Sequence, residues 1–515
     1  MSTREASRPR TRAEHDSLAG YLHAVLTEAQ RANVLLISFS QWDFTTGAAA
    51  ETAVTLHEMG AGVTVALWAG HTPLKDVGWT TMPAVARALG SPSRDQRVEQ
   101  ALKAAGLPAS AFADPPIRGW KPVEPLRVPG LLNRTAIRAM RYRESDLGRA
   151  ILQVAPDSNT PVTDAFIWPT AWVRATTRSY AYAYDQATAL MQERGVTAVV
   201  VYNGRFLHDS AAAGAAEALG LPVIAYDMGG NDTDFDLTID ATHDWSALQG
   251  RMKHMYDTWP VDERDDLGSS WFLERTKHVD ARNALFVDSQ EIGSGIERPD
   301  TECLVVFFSS SGDEISELDL DWADYFFGQP EALLAVADAC RARPECTFVV
   351  RSHPHKRMKP AQDVADWMEA VELAAPDLHL DPFSPVDSYA LMRQADVVVT
   401  YGSTTGVEAG FAGRPVIVMG PSAYDELGCA TRVRTADELG RAIDERTPGE
   451  WAGAVSYGLM MRRRGFSYHY VQVDDQGRRS LAGVALDQSR QLVLNLSHAR
   501  GRLQKWALIR KKGLA

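Results

Sequence analysis

Short, Val-rich apolar runs that alternate with helical patterns constrain this chain more than any other feature of its sequence. The runs "NVLLISFS" and "VTVALW" flank the helical pattern "TTGAAAETAVTLHEMG". A strand, a helix and a strand at this spacing predict a βαβ unit with a parallel pair of strands. Because the arrangement recurs over residues 196–227, the first half of the chain is predicted to be an α/β domain.

A second α/β series begins near residue 302. Its predicted strands are "CLVVFFS", "TFVVRS", "LHLD", "DVVVTY" and "PVIVMG", and the helical patterns among them lie at 329–342, 361–374, 387–394 and 404–413. Continuous apolar strands of this kind are buried on both faces by helices. The chain is therefore predicted to be α/β, with two doubly wound, Rossmann-like domains facing a cleft at the carboxyl ends of their sheets, where such folds bind ligands.

At 515 residues the chain is too long for a single core. The acidic, glycine-containing stretch "DSQEIGSGIERPD" (288–300) is typical of a linker. We therefore predict a disordered basic N-terminus (1–15), a first domain with a helical insertion (16–298), a second domain (299–475) and C-terminal helices with a basic tail (476–515). Within the insertion, residues 70–195, only helical patterns near 132–153 and 170–195 are recognisable.

Composition and charge exclude several classes of protein. Hydrophobic residues make up 45% and charged residues 23%, as in an ordinary globular protein. The net charge of −13 argues against general nucleic-acid binding, which needs a basic surface. No apolar run approaches the ~20 residues of a membrane-spanning helix, and no apolar segment follows the Arg-rich N-terminus as in a signal peptide.

The four cysteines show no CxxC pairing, which fits a reducing cytoplasmic compartment. The acidic strings "DTDFD" (232–236) and "ELDLDW" (317–322) lack a second cluster of ligands. We therefore expect a cytoplasmic protein, and we read both strings as solvated loops rather than metal sites.

Polar clusters follow three strands of the second series. The residues concerned are Ser309, Ser310 and Ser311 after the first strand, Arg351, His353 and Pro354 after the second, and Ser403, Thr404 and Thr405 after the fourth. Parallel strands bring their carboxyl-end loops to one edge, where hydroxyls, cationic side chains and a helix N-terminus together can bind an anion. The clusters predict a pyrophosphate site, with Glu408 one turn further on to meet a ribose hydroxyl. Taken singly, each cluster could be an ordinary cap, turn or solvated face.

The second and third clusters also carry a family resemblance. "RSHPHKR" (351–357) resembles the HP motif, and "YGSTTGVEAGFAGRPVIV" (401–418) the Ser/Thr motif, of GT-B glycosyltransferases that build bacterial capsules and related surface polymers. That group is similar to bacterial sialyltransferases, capsular Kdo transferases and CDP-glycerol glycerophosphotransferases. The resemblance extends over about residues 300–420. It implies a GT-B fold, a nucleotide-activated sugar (CMP- or UDP-linked) as donor substrate, no required cofactor or metal, and inverting transfer. It assigns phosphate binding to His353 and to the hydroxyls of the Ser/Thr motif.

An inverting transfer needs a base to take the proton of the acceptor hydroxyl, and groups that stabilise the leaving phosphate. Several members of the resembled group use a carboxylate just before a glycine. The nearest match here is Asp227 in "YDMGG", although a methionine separates it from the glycine. His208 is the alternative base, and Asn203 and Arg205 are candidates for orienting the acceptor. A turn carboxylate and a packed histidine are the alternatives for the two candidate bases.

The tail "SHARGRLQKWALIRKKGLA" (497–515) places basic residues around a Trp/Leu/Ile face. This pattern is typical of a helix on an anionic membrane surface, which would suit a glycan or lipid-linked acceptor at the inner face of the cell membrane. The alternative is packing against the first domain. Three other functions stay open: a CDP-glycerol or polyol phosphotransferase, a nucleotide-sugar 2-epimerase, and a non-catalytic scaffold subunit.

Overall fold

The structure is a computed structural model in which the described residues are 17–26, 32–39, 45–68, 94–114, 120–154, 167–239, 244–278, 287, 289–311, 328–358, 361–475 and 477–487. The predicted disordered N-terminus and the basic tail lie outside these residues, so their roles stay predictions. The chain divides into two compact units. The first combines residues from Ala13–Thr242 with residues from Gly465–Ala515, and the second lies within His243–Arg464.

The secondary structure is numbered along the chain. The strands are β1 (Asn33–Ser38), β2 (Gly62–Leu67), β3 (Ala198–Tyr202), β4 (Val223–Met228), β5 (Asp234–Thr238), β6 (Cys303–Phe308), β7 (Cys346–Arg351), β8 (Leu378–Leu380), β9 (Val397–Thr400), β10 (Val416–Val418), β11 (Thr431–Arg432), β12 (Phe466–Ser467), β13 (Gln472–Val473), β14 (Arg479–Leu481) and β15 (Val484–Ala485). The helices are α1 (Leu18–Val25), α2 (Thr46–Glu58), α3 (Arg94–Ala104), α4 (Arg134–Arg138), α5 (Leu147–Gln153), α6 (Thr170–Arg194), α7 (Leu207–Ala218), α8 (Trp245–Thr258), α9 (Val261–Thr276), α10 (Gln329–Arg341), α11 (Ala361–Ala374), α12 (Ser388–Gln394), α13 (Thr405–Phe411), α14 (Ala436–Glu445) and α15 (Trp451–Arg463). None of the helices in the described ranges is long and apolar enough to cross a membrane.

The first unit is built on a six-stranded sheet of order β2-β1-β3-β4-β5-β12. Strands β1 to β4 pair in parallel, whereas β5 and β12 are antiparallel additions at one edge. Residues Val34 to Ile37 of β1 are fully buried. Helices cover both faces of these apolar strands and form two separate clusters of buried side chains. The predicted parallel α/β unit is confirmed.

The second unit carries an all-parallel sheet of order β11-β10-β9-β6-β7-β8. If the strands β6 to β11 are numbered 1 to 6, the sheet read from β8 has the order 3-2-1-4-5-6, which is that of doubly wound nucleotide-binding folds. In this sheet the order reverses between β6 and β9. Apolar side chains bury both faces of the sheet, as the Val-rich runs predicted. The predicted fold class, α/β with two Rossmann-like domains, is confirmed.

The boundary between the units differs from the predicted one at residue 298. Helices α8 and α9 belong to the second unit, because α9 packs closely on α15. Gly268 and Gly458 meet at this crossing, where a Cβ on either residue would clash with backbone of the other helix. The predicted linker is also part of this unit, since the N–H of Glu291 donates to the carbonyl of Pro385 at 2.8 Å.

The helical pattern predicted at 132–153 forms two short helices, α4 and α5, rather than one. Between them, Tyr142 and Ser145 form a tight backbone bridge, and Arg143 adopts a positive φ of 51°. The 170–195 pattern corresponds to the single long helix α6, which ends at Gly195 in the left-handed conformation.

The chain returns to the first unit after α15, which the predicted boundary at 475 did not anticipate. The backbone N–H groups of His469, Tyr470 and Val471 all donate to the Glu51 carboxylate of α2, at 2.8 to 3.1 Å. Glu51 is 1% exposed. A buried carboxylate therefore holds the returning segment against helix α2 of the first unit.

Glu51→Gln is expected to lower the free energy of unfolding by about 1.5–3 kcal/mol, because the amide loses acceptor capacity toward three buried N–H donors. Denaturant unfolding monitored by circular dichroism measures the change. The matched control is Glu58→Gln at the exposed end of the same helix, for which we expect a change within about 0.5 kcal/mol. Equal stabilities for the two variants would show that Glu51 does not hold the segment.

Candidate functional site

The three predicted clusters lie at the carboxyl ends of neighbouring strands of the second unit. Strand β6 lies between β7 and β9, and Phe308 is in register with both Arg351 and Thr400. The loops that follow these three strands therefore start at the same level of the sheet. In doubly wound folds, ligands bind where the strand order reverses, here between β6 and β9.

The first two loops are joined by a hydrogen bond. The Ser309 hydroxyl accepts from the backbone N–H of His353 at 2.7 Å. The Nδ1 atom of His353 in turn accepts from the N–H of His355 at 3.1 Å. A neutral imidazole that accepts at Nδ1 carries its proton on Nε2. Pro354 begins the 3₁₀ turn Pro354–Met358, which fixes the course of the chain after this histidine.

The Ser/Thr loop runs into helix α13. The Ser403 hydroxyl accepts from the N–H of Thr405 at 3.3 Å and donates to the Thr405 hydroxyl at 3.2 Å. Thr404 is exposed at the helix start, and its side chain makes no capping bond. The carbonyl of Ser403 accepts from the Tyr424 hydroxyl at 2.5 Å. The loop thus carries small hydroxyl side chains, and the buried Tyr424 fixes its backbone through this hydrogen bond.

The two glycines of this loop are required for different physical reasons. Gly402 has a φ of 75°, a conformation that favours glycine. Gly406 lies against the Tyr424 hydroxyl, which a Cβ at this position would strike. Close packing against Tyr424 therefore explains the glycine at position 406.

Arg351 does not have the predicted role in phosphate binding. Its guanidinium donates to the carbonyls of Asp381, Ser384 and Val386 at 2.8, 3.3 and 3.4 Å. The side chain is 2% exposed, and burial lowers the pKa of Arg351 to about 10. The arginine organises the loop after β8, because three backbone carbonyls there face the interior and need donors.

Glu408 is also an internal residue rather than a ribose ligand. Its carboxylate is buried and accepts from Arg275 Nε at 2.6 Å and from the Tyr389 hydroxyl at 3.1 Å. Arg275 lies on α9, which the sequence had placed in the other domain. The ion-pair partner of Glu408 is thus a residue distant in the sequence that the tertiary structure places beside it.

The remaining serines after β6 differ from each other. The N–H of Ser310 donates to Gln329 Oε1 at 2.6 Å, which fixes the start of α10. The Ser310 hydroxyl is buried and has no hydrogen-bond partner in the described part of the chain. Ser311 is partly exposed and is the last described residue of its loop.

In the first unit, the structure brings Asp227 and Asn203 together at the carboxyl ends of β4 and β3. Asp227 Oδ2 accepts from Asn203 Nδ2 at 2.7 Å, and Oδ1 accepts from the N–H of Met228 at 2.8 Å. Asn203 adopts a positive φ of 54°, in the left-handed region that asparagine tolerates. The half-buried carboxylate therefore has a fixed orientation at the edge of the sheet.

His208 is a packed residue and not a candidate base. It is 1% exposed, its Nε2 lies 2.8 Å from the Ser179 hydroxyl, and its ring packs on Phe39. Arg205 stacks on the ring of Phe206 at 5.3 Å and is half-buried.

The sequence reading missed the loop 381–386. Phe383 in this loop is 43% exposed, although the loop lies at the carboxyl end of β8, beside the His353 loop. An exposed aromatic ring on a loop whose carbonyls are bonded by Arg351 is a candidate contact for a planar ligand group. The sequence signal that could have identified this loop is an aromatic residue between Pro382 and Pro385, directly after a strand.

Part of the second unit matches the model of a known protein family. Residues 325–449 match the family model described as capsule polysaccharide biosynthesis protein. No curated protein sequence matches the chain. Among solved structures, the chain is similar to the KpsC β-Kdo 2,7 transferase of Thermosulfurimonas dismutans, at 14% identity over 61% of this chain and 89% of that chain, with a TM-score of 0.30. It is also similar to the UDP-GlcNAc 2-epimerase of Neisseria meningitidis, at 13% identity over 84% and 97%, with a TM-score of 0.27.

The family match includes both motifs that carried the resemblance, the His353 loop and the Ser/Thr loop. Together with the two Rossmann-like units, it supports the predicted class, a GT-B glycosyltransferase of the capsule-biosynthesis type. The predicted resemblance to the capsule-biosynthesis family is confirmed over residues 325–449.

Proposed function

We propose that the protein transfers a sugar from a CMP- or UDP-linked donor to a glycan or lipid-linked acceptor of a bacterial surface polysaccharide, with inversion and without a metal ion. The observation that most supports this proposal is the bonded pair Ser309 and His353 beside the Ser/Thr loop, where the strand order of the second sheet reverses. This position is where doubly wound folds bind nucleotides.

The donor phosphate groups would lie between the His353 loop and the Ser/Thr loop. His353 is oriented to donate from Nε2, since its Nδ1 accepts from the chain. The hydroxyls of Ser403, Thr404 and Thr405 supply further donors. Such donors stabilise the charge that develops on the leaving nucleotide without a metal ion.

Asp227 is the proposed base. Two hydrogen bonds hold its carboxylate, and a held carboxylate can take the proton of an acceptor hydroxyl as that hydroxyl attacks the anomeric carbon. Asn203 is a positioning residue in this proposal, because it acts through the carboxylate.

The nucleobase is proposed to stack on Phe383. Phe383→Ala is expected to weaken nucleotide binding about 5- to 150-fold, from a stacking contribution of about 1–3 kcal/mol. Isothermal titration calorimetry with the cognate nucleotide measures the change. Leu378→Ala, an exposed apolar position at the other end of β8, is the control expected to bind like the parent protein. Parent-like affinity of Phe383→Ala would exclude this loop from the nucleobase site.

The proposed function is tested first by thermal stabilisation with CMP, CDP, UDP and GDP, because a bound nucleotide raises folded stability by mass action. The nucleotide that stabilises the protein then identifies which sugar donors to assay. A new glycoside supports the proposal. A new phosphodiester or an epimerised free nucleotide sugar contradicts it in favour of the phosphotransferase or epimerase alternative.

A further inference from the structure

Tyr424 is a buried residue that connects two loops of the second unit. It lies in the loop that follows β10 and is 1% exposed. Its ring packs edge-on against Tyr457 of α15, with 6.3 Å between the ring centroids. Its backbone carbonyl accepts from the N–H of Leu427 at 3.1 Å. The ring and the backbone of Tyr424 are therefore both held by the second unit.

The Tyr424 hydroxyl lies in a chain of hydrogen bonds that ends at the Ser/Thr loop. It donates to the carbonyl of Ser403 at 2.5 Å. Because a tyrosine hydroxyl has one proton, it accepts from the Thr400 hydroxyl, whose oxygen lies 3.1 Å away. Burial raises the pKa of Tyr424 well above its usual value, so the hydroxyl keeps its proton and remains a donor at neutral pH.

Two donors fix the direction of the Ser403 carbonyl. One is the Tyr424 hydroxyl, and the other is the N–H of Gly406 at 3.0 Å. A carbonyl oxygen has two lone pairs, and both are used here. The peptide between Ser403 and Thr404 is trans. In a planar trans peptide the C=O and the following N–H point in opposite directions. The N–H of Thr404 therefore points away from Tyr424.

The N–H of Thr404 is a donor whose direction this arrangement sets. Within the described ranges of the chain it has no hydrogen-bond acceptor, and Thr404 is exposed. A backbone donor that is oriented before a ligand binds can stabilise a negatively charged oxygen without the cost of reorganisation. Its position depends on one fixed peptide group that precedes the short helix α13.

We propose that Tyr424 is a positioning residue of the nucleotide site, where its hydroxyl fixes the peptide between Ser403 and Thr404 so that the Thr404 N–H donates to a phosphate oxygen. This inference rests on the proposed function for the identity of the ligand. Tyr424 does not itself contact the nucleotide but acts through the Ser403 carbonyl. It lies outside the Ser/Thr motif (401–418), and the family resemblance assigned it no role.

Tyr424→Phe removes the hydroxyl and keeps the buried ring. The probe is whichever of CMP, CDP, UDP and GDP stabilises the parent protein. Its Kd is expected to rise about five- to tenfold, because the peptide loses one of the two bonds that orient it. Calorimetric titration at a temperature where circular dichroism shows every variant folded measures this affinity. A role of Tyr424 in stability alone would lower the Tm and leave the Kd of the folded protein unchanged.

Thr404→Pro tests the N–H directly. Thr404 has a φ of −59°, which proline also adopts, and proline has no N–H. Thr404→Ala loses the same hydroxyl but keeps the N–H, so Thr404→Pro should bind the nucleotide about tenfold more weakly than Thr404→Ala. In the Thr404→Pro background, Tyr424→Phe should change the Kd less than twofold, because the two substitutions act on one donor.

Tyr256→Phe is the matched control, since it removes a hydroxyl that donates to Asp265 at 2.8 Å within the helical pair α8 and α9. It should bind nucleotide like the parent protein. If Tyr424→Phe does not fold, Thr400→Val replaces it in both backgrounds, with an expected rise in Kd of about threefold that is lost in Thr404→Pro.

Three results would overturn the role of Tyr424 while leaving the proposed function intact. They are a Tyr424→Phe protein, or a Thr400→Val protein in its place, with the parental Kd; equal affinities of Thr404→Pro and Thr404→Ala; and an undiminished effect of Tyr424→Phe in the Thr404→Pro background. A parent protein that binds none of the four nucleotides would instead contradict the proposed function, and the role of Tyr424 with it.

Discussion

Asp227→Asn is expected to lower turnover by about 10²–10⁴-fold while leaving nucleotide binding unchanged. The amide keeps the size and polarity of the carboxylate but cannot accept the proton of the acceptor hydroxyl. The His353 loop and the Ser/Thr loop lie in the other unit, so nucleotide-induced thermal stabilisation should match that of the parent protein. Turnover is measured as the release of free nucleotide from the donor in the presence of acceptor.

The control for this result is Asp234→Asn, at the start of β5, where the carboxylate bonds Asn231, Thr233 and Ser467 rather than Asn203. It should keep at least half of the parental turnover. Asn203→Ala should lower turnover less than Asp227→Asn, because it releases the carboxylate without removing it. Near-normal turnover of Asp227→Asn would exclude Asp227 as the base. His208, which is packed in the core, would not replace it.

His353→Ala is expected to weaken binding of the cognate nucleotide by about 10- to 150-fold, since a hydrogen bond to a charged group contributes about 1.5–3 kcal/mol. The fold should persist, because the bond to Ser309 is made by the backbone N–H of residue 353 and survives the substitution. Calorimetric titration gives the affinity, and circular dichroism verifies the fold.

His355→Ala is the matched comparison for this variant. Its backbone N–H still donates to His353 Nδ1 after the substitution, so the orientation of His353 should be retained. We expect a smaller loss of affinity than for His353→Ala. Unchanged nucleotide affinity of His353→Ala would contradict the phosphate site at its centre.

The sequence was most informative where structure is local. The Val-rich runs predicted β6, β7 and β9, since a short apolar run of buried strand type can be recognised from its own residues. The polar residues after these runs could be placed at one edge because parallel strands end on the same side of a sheet. The hydrogen bond from the backbone N–H of His353 to the Ser309 hydroxyl shows that two of these loops meet at that edge.

Residue type alone did not predict the direction of long charged side chains. Arg351 and Glu408 both lie at the expected edge, but each turns inward to partners supplied by other segments. The carbonyls that attract Arg351 come from a loop about 30 residues later. The guanidinium that pairs with Glu408 comes from α9, more than 130 residues earlier. Partners so distant along the chain leave no periodic signal in the sequence.

The sequence by itself determined the class of fold and the edge at which the three polar clusters meet, because both follow from strand patterns and the geometry of parallel sheets. Only the tertiary structure decided which segments complete each unit: α8 and α9 join the second, and the segment held by Glu51 returns to the first. It also decided that the charged groups of Arg351 and Glu408 are used in internal bonds. The physical reason is that a buried charge is stabilised by its surroundings in space, and those surroundings are assembled from residues far apart in the chain.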